Sequence, residues 1–451
     1  MKKTRILSML LAGMMLFSML AGCKREEATS SADPTKAPEP ANSQPASTAG
    51  SPDVVSQGVT DDVVKIGTIS LVSGGFAYIG QPAYDGMRAA IARLNAQGGV
   101  QGRQIEIVAY DDQFDAATGK ATIERFVEQD QVFLLTSLWG NIVEPSLDYL
   151  KDKGIPVVNI ASGLDVCFSE NDPGSRIFQV QPANRTDARF LLARVLHESI
   201  FGPNKDEKLP ADAKIAVVHG VDSASMDNLG HLQTMAEEEG ALDRLVCEAV
   251  TQETYATAIQ KFKSEDCQAV IFMGIDATTW ISAMDDAQWE VPVIFSYGAS
   301  TLQSFVPDTY KSTRPCYANV WADYASDGGQ AMLDDMVDAL SYCPDIAEDV
   351  RISYRDNNYC VAGYLYGMTI VKAFERLNEM QDDYGLNWED FSTVMEMGDF
   401  EMGAVTFDFA GGKRMGVDAM ALLEYVGDPA TGSEEMINLL PFADLDDVLS
   451  K

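Results

Sequence analysis

Three histidines, His197, His219 and His231, are the whole imidazole supply of this 451-residue chain. His197 and His231 fall in helical patterns and His219 closes a strand pattern, too scattered for a Ser-His-Asp triad or a His-based metal site. No G-x-S-x-G, H-E-x-x-H or calcium-loop pattern occurs. Gly75 to Gly80 has the glycine spacing of a phosphate loop, yet Gln81-Pro82 stands where Lys and Ser/Thr are required. Neighbouring carboxylates such as Asp111-Asp112 and Asp285-Asp286 read as solvated pairs in an acidic chain. Beyond Cys23 the cysteines are Cys167, Cys247, Cys267, Cys316, Cys343 and Cys360, and none has CxxC spacing, which argues against zinc and dithiol chemistry. Their even number permits three disulfides in an oxidising compartment. Cys343–Cys360 and Cys247–Cys267 are the preferred pairs, with free buried thiols as the alternative. The reactive residues therefore argue for binding rather than catalysis: no enzyme, no cofactor, no metal.

The elements that would position a binding site alternate. A β-branched run over 63–69 leads through a Gly-rich loop to Pro82, and Met87, Ala90, Ile91 and Leu94 then keep the spacing of one apolar helix face. Gly98-Gly99 ends that helix. The rhythm continues with strand 105–110, helix 116–129, strand 132–136, helix 142–153 and strand 155–160. A second series runs from helix 184–200 through strands 214–219, 244–250, 269–274, 292–296 and 317–323, with helices 227–240, 255–265 and 277–288 between them. Strands alternating with helices imply right-handed crossovers and mostly parallel sheets. Two series predict an α/β chain of two doubly wound lobes. Helices 328–342 and 358–379 return to the first lobe, and strands 404–408 and 417–426 lead back to the second. The expected division is 61–182 plus 324–404 for lobe I and 183–323 plus 405–445 for lobe II, with three chain crossings between them. In such sheets ligands sit beyond the carboxyl ends of the strands, here in a cleft that both lobes share.

Acidic side chains number 68 against 33 basic ones, a formal charge of -35. That excludes nucleic acid as a partner, since phosphate binding needs clustered Lys and Arg. Lys2, Lys3 and Arg5 precede an apolar stretch from Ile6 to Leu20 that ends at Ala21-Gly22-Cys23, the pattern of an export signal spanning 1–22 and too short for a comfortable membrane span. Residues 24–60, with Pro34, Pro38, Pro40, Pro45 and Pro52 among Ser, Thr and Ala, read as a disordered tether holding the body on the order of 35 Å from a bilayer.

Leu20-Ala21-Gly22-Cys23 resembles the bacterial lipobox, which implies cleavage before Cys23 and a lipid on it. The stretch from Ile66-Gly67-Thr68 through Gly80-Gln81-Pro82-Ala83-Tyr84-Asp85-Gly86 and Leu94-Asn95-Ala96-Gln97-Gly98-Gly99 resembles the opening of the type I periplasmic binding proteins, specifically the branched-chain amino-acid (Leu/Ile/Val) group of ABC-transporter receptors. Tyr110-Asp111-Asp112, Gly154-Ile155-Pro156-Val157-Val158 and Ile215-Ala216-Val217-Val218-His219 carry the same resemblance, which covers about residues 61–430. It implies a monomeric clamshell that binds an amino-acid-like or other polar metabolite and delivers it to a membrane permease; a ligand-sensing module without transport is the alternative. It also implies that the loops after the third and fourth strands hold a ligand carboxylate. Those loops carry Trp139, Gly140, Asn141, Ser162 and Gly163, while Tyr78 or Ile79 would cover the ligand. The acidic residue that amino-acid binders of this group place after the strand ending at Ser296-Tyr297-Gly298 is replaced by Gly298. An amino-acid ligand then requires Asp222 or Asp276, beside Tyr297, to pair its ammonium; without such pairing a carboxylate, amide or other neutral polar compound is equally open. Helix capping is the competing role for both Asp276 and Ser162.

Overall fold

A computed structural model describes residues 52–167, 175–204, 206–274, 276–299, 314–428 and 433–451. Cys23 and the export signal lie outside the described residues. No described helix is long and apolar enough to cross a membrane. The strand-and-helix rhythm appears as β1 (Val63–Ile69), α1 (Ala77–Ala96), β2 (Gln104–Tyr110), α2 (Ala116–Glu128), β3 (Leu134–Trp139), α3 (Gly140–Val143), α4 (Leu147–Lys153), β4 (Val157–Ala161) and β5 (Ile177–Phe178). It continues through α5 (Asn184–His197), β6 (Lys214–His219), α6 (Ser223–Glu238), β7 (Leu245–Ala249), α7 (Tyr255–Ser264), β8 (Cys267–Met273), α8 (Ala277–Asp286), β9 (Val293–Phe295) and β10 (Cys316–Val320). The last part holds α9 (Asp327–Leu340), α10 (Glu348–Ser353), α11 (Asn358–Glu379), α12 (Trp388–Met395), β11 (Phe400–Glu401), β12 (Thr406–Phe407), β13 (Met420–Asp428), β14 (Ser433–Ala443) and α13 (Leu445–Leu449).

Two large sheets organise these elements. The first is parallel with strand order β2-β1-β3-β4-β5. The second repeats that winding as β7-β6-β8-β9-β10 and adds β13 and β14 antiparallel at its edge. The sheets are thus mostly parallel, as expected, with β13 and β14 as the antiparallel exception. A strand that returns from the other lobe has no helical crossover to enforce parallel pairing, so β13 runs against β10 and a hairpin adds β14.

Apolar runs buried on both faces explain why β1, β3 and β4 read as continuous hydrophobic strands. Helices α1 and α11 cover one face of the first sheet, and their backbones nearly touch. A Cβ on Gly363 would lie 1.9 Å from the Ala83 carbonyl oxygen, and one on Gly86 would lie 2.1 Å from that of Cys360. Glycine is required at both positions for this approach. Pro82, expected to open a helix, instead sits inside α1, which starts at Ala77. The predicted helix 142–153 is broken by a 3-10 turn at Glu144–Ser146 containing Pro145.

Residues 56–60, expected to belong to the tether, are hydrogen-bonded to the body. Ser56 N–H donates to the Leu386 carbonyl at 3.0 Å, Gln57 Nε2 donates to the Val132 carbonyl at 3.0 Å, and Val59 bridges Val64. These contacts seat residues 56–60 on the first sheet's layer.

The chain passes between the sheets after β5, after β10 and after β12, and the three passages lie side by side. Gln179 N–H donates to the Arg414 carbonyl, Gly416 N–H to the Gln179 carbonyl and Asp323 N–H to the Ala404 carbonyl, each at 2.7 Å. One apolar cluster runs through them from Met87 and Phe374 to Leu191 and Ile215, by way of Phe178, Trp321 and Phe407.

The six described cysteines are free, which corrects both expected disulfides. Cys247 on β7 faces Val217 of β6, and Cys267 on β8 faces Lys214 of β6, so a whole strand separates them. Two strand spacings are about 10 Å, beyond the reach of a disulfide. Cys343 and Cys360 are both buried as free thiols, and burial holds both above their usual range.

Candidate functional site

The strand ends converge on one cavity of about 170 Å³. Trp139 closes β3, Ala161 closes β4, Tyr297 and Gly298 follow β9, Val320 ends β10 and Trp321 follows it. Ile79 and Ala83 of α1 and Asn358, Tyr359, Ala362 and Tyr366 of α11 form its remaining wall, with Gln181 and Tyr324 supplied by the crossings. Both sheets therefore contribute, at the carboxyl ends of their strands, where open α/β sheets bind ligands.

Backbone irregularity aims the wall. Ser137 in β3 and Asn159 in β4 adopt left-handed φ values of 51° and 64°, and the β3–β4 register skips both. Such a kink turns the residues beyond it, here Trp139 and Ala161, toward the cavity. Asn159 holds the bend by accepting from the N–H groups of Val180 and Gln181, each at 3.2 Å. The Trp139 indole is fixed by donating to the Ile69 carbonyl at 3.2 Å and is 9% exposed.

A hydrogen-bonded chain crosses the cavity floor. Tyr366 Oη donates to Gln181 Oε1 at 2.7 Å, Gln181 Nε2 donates to Tyr297 Oη at 3.4 Å, and Tyr297 Oη donates to the Pro182 carbonyl at 3.3 Å. Burial raises the Tyr297, Tyr324 and Tyr366 phenols far above their ordinary value and pushes Tyr359 up to about 12, so all four are neutral. Among the described lining residues none carries a charge.

The sequence-predicted residues separate into two groups. Ile79, Trp139 and Tyr297 line the cavity. Tyr78 is 57% exposed and stands at the rim, edge-on to Tyr359 with ring centroids 6.3 Å apart. Gly140 presses on Ser162, and Ser162 Oγ accepts from Leu164 N–H at 3.2 Å in a local turn. Gly163 accepts from Asn184 N–H at 2.7 Å, and Asn184 Nδ2 donates to Asp227 of α6 at 2.9 Å. These loops thus touch the second sheet's helices beside the cavity rather than line it. Asn141 lies in α3, and its side chain is outside the described residues.

Asp222 and Asp276 are helix caps. Asp222 accepts from Ser225 N–H at 3.0 Å and Ser225 Oγ at 2.7 Å. Asp276 accepts from Thr279 N–H at 2.9 Å and from Gln252 Nε2. Neither reaches the cavity, because the loops after β6 and β8 turn directly into α6 and α8. The residues that sequence reasoning missed are Gln181, Trp321, Tyr324, Tyr359 and Tyr366. Their helical or crossing positions read as core, and no motif marks them.

Comparison with known proteins is consistent with this geometry. The periplasmic binding protein family model matches residues 63–430. The leucine-specific-binding protein of Salmonella typhimurium is 30% identical over 105 residues, 23% of this chain and 28% of that protein. The match thus spans little more than a quarter of that relative's length. A branched-chain amino-acid ABC transporter protein from Thermus thermophilus, solved with bound valine, is similar over 87% of this chain and 100% of its own, with TM-score 0.68 and 14% identity. A fatty acid ABC transporter substrate-binding protein from Thermomonospora curvata covers 87% of this chain and 96% of its own, with TM-score 0.66 and 14% identity. At these identities the solved structures share the fold.

Proposed function

Because the chain belongs to the periplasmic binding protein family, a family of extracytoplasmic binding proteins rather than enzymes, we propose that it is the receptor of an ABC importer. It captures a small molecule between its sheets and delivers it to a membrane permease. The observation that carries this reading is the cavity, walled by strand ends from both sheets and floored by the Tyr366–Gln181–Tyr297 chain beside the crossings. A guest there touches Trp139, Ala161 and Tyr366 on the first sheet's side and Tyr297, Gly298 and Trp321 on the second's. It therefore stabilises whichever arrangement brings the two lobes together, by differential contact. The lipobox pattern at Cys23 supports anchoring by lipid at the outer face of the cytoplasmic membrane, with the chain acting as a monomer. The relative named for leucine and the neighbour solved with valine make amino acids the reference class against which a ligand is sought.

The test is twofold. Mass spectrometry of the small molecules released when the full-length protein, purified from its own membranes, is denatured should find one compound at about one equivalent. Deleting the gene should abolish uptake of that compound by whole cells. Retained uptake would refute the transport role.

A further inference from the structure

We propose, resting on the receptor reading above, that the cavity selects an uncharged, ring-sized compound bearing one hydrogen-bond-accepting oxygen, and rejects free amino acids. Volume comes first. About 170 Å³ is close to the roughly 150 Å³ of apolar cavities that accept benzene, so one ring with a short substituent fills it. The walls suit a ring: Trp139, Trp321, Tyr297, Tyr324, Tyr359 and Tyr366 present flat faces, and aliphatic Ala83, Ala161 and Ala362 leave room between them.

Charge decides the rest. A zwitterion needs a carboxylate for its ammonium; none of the described lining residues supplies one, and Asp222 and Asp276 are occupied as caps outside the cavity. A buried ammonium left unpaired costs several kcal/mol. A simple cation fares no better, because α1 and α11 turn their N-terminal ends toward the guest through Ile79, Asn358 and Tyr359, and helix N-termini carry partial positive charge. An anion is favoured by the same two helix N-termini but finds no cationic side chain among the described lining residues, and those partial charges do not offset the desolvation of a buried carboxylate. What the walls do offer is neutral hydrogen bonding. The side chains of Trp321, Tyr324, Tyr359 and Asn358 line the cavity and make no hydrogen bond among the described residues. The Trp321 indole N–H can only donate, and it selects an acceptor on the guest.

The experiment titrates the full-length protein with five probes, followed by tryptophan fluorescence and by calorimetry: phenylacetamide, phenylacetate, phenethylamine, L-phenylalanine and choline. Phenylacetamide is expected to bind at least tenfold more tightly than any of the others. A charged probe binding as well as phenylacetamide overturns the inference and leaves the receptor reading intact. Failure of all five also overturns it. The compound released from the natively purified protein then judges the receptor reading separately, since a bound charged metabolite retains that reading and absent uptake removes it. Trp321→Phe should weaken phenylacetamide about tenfold in a protein that still unfolds cooperatively. Tyr324→Phe, which keeps the ring and removes only the hydroxyl, serves as the second variant. If neither substitution alters affinity, hydrogen bonding by these walls plays no part and the proposal fails.

Discussion

The two sheets share one winding, yet their strand ends do different work. In the first, kinks at Ser137 and Asn159 swing the ends of β3 and β4 inward, and α11 adds an aromatic wall that no second-sheet helix matches. In the second, the ends of β6 and β8 pass straight into capped helices, and only β9 and β10 reach the cavity. Equivalent topological positions therefore do not guarantee equivalent roles. Whether a strand-end residue meets the guest depends on whether the loop after it is consumed as a helix cap.

That contrast can be broken at its strongest joint first. Gly363→Val drives a side chain into the α1 backbone, so the aromatic wall should separate from the first sheet; thermal or denaturant unfolding should show a loss of roughly 3 kcal/mol. Trp139→Ala removes the inward-turned side chain of β3. Ligand affinity should fall by about tenfold or more, and a collapse of the folded state instead would assign the indole to packing alone.

Asp187 sharpens the second-sheet side. It lies fully buried on α5 behind Tyr297, accepts from Asn319 Nδ2 at 2.8 Å, and desolvation pushes its pKa up to about 6. The folded state thus holds a proton that the unfolded chain has released by about pH 4. Stability should fall as pH rises from about 4 to about 6 and remain lower above that window. Asp187→Asn should remove this slope and raise stability at pH 7 by on the order of 1–3 kcal/mol, read by urea titration across pH. An unchanged slope would mean that the carboxylate is ionised throughout. The smallest effect is expected at the caps. Asp222→Ala and Asp276→Ala should each cost about 1 kcal/mol of stability while leaving ligand affinity untouched. A lost affinity at either position would return it to the site.

Much of the fold was legible because its signals are local. Helix 358–379 and strand 214–219 are found where the apolar period places them, since each buries a regular face. Strand β14 and helix α12 escaped notice. The first is an edge strand interrupted by Asn438 and Pro441, and the second is a helix of only 8 residues. The site was less legible for a different reason. Trp139 could be reached by way of its loop, but Tyr366 and Trp321 look like core residues until the tertiary structure turns them toward a void. The aspartates misled because the residue types that cap a helix are also those that pair with a ligand ammonium, and sequence spacing alone does not separate the two.

The three crossings, pinned to one another by short backbone hydrogen bonds at Gln179, Gly416 and Asp323, have a mechanical consequence. A ribbon of adjacent ties folds easily about a single line and resists sliding or twisting along it. Any rotation of one sheet against the other is therefore easiest about the line of these crossings, which keeps the strand ends of both sheets turned toward the same cavity.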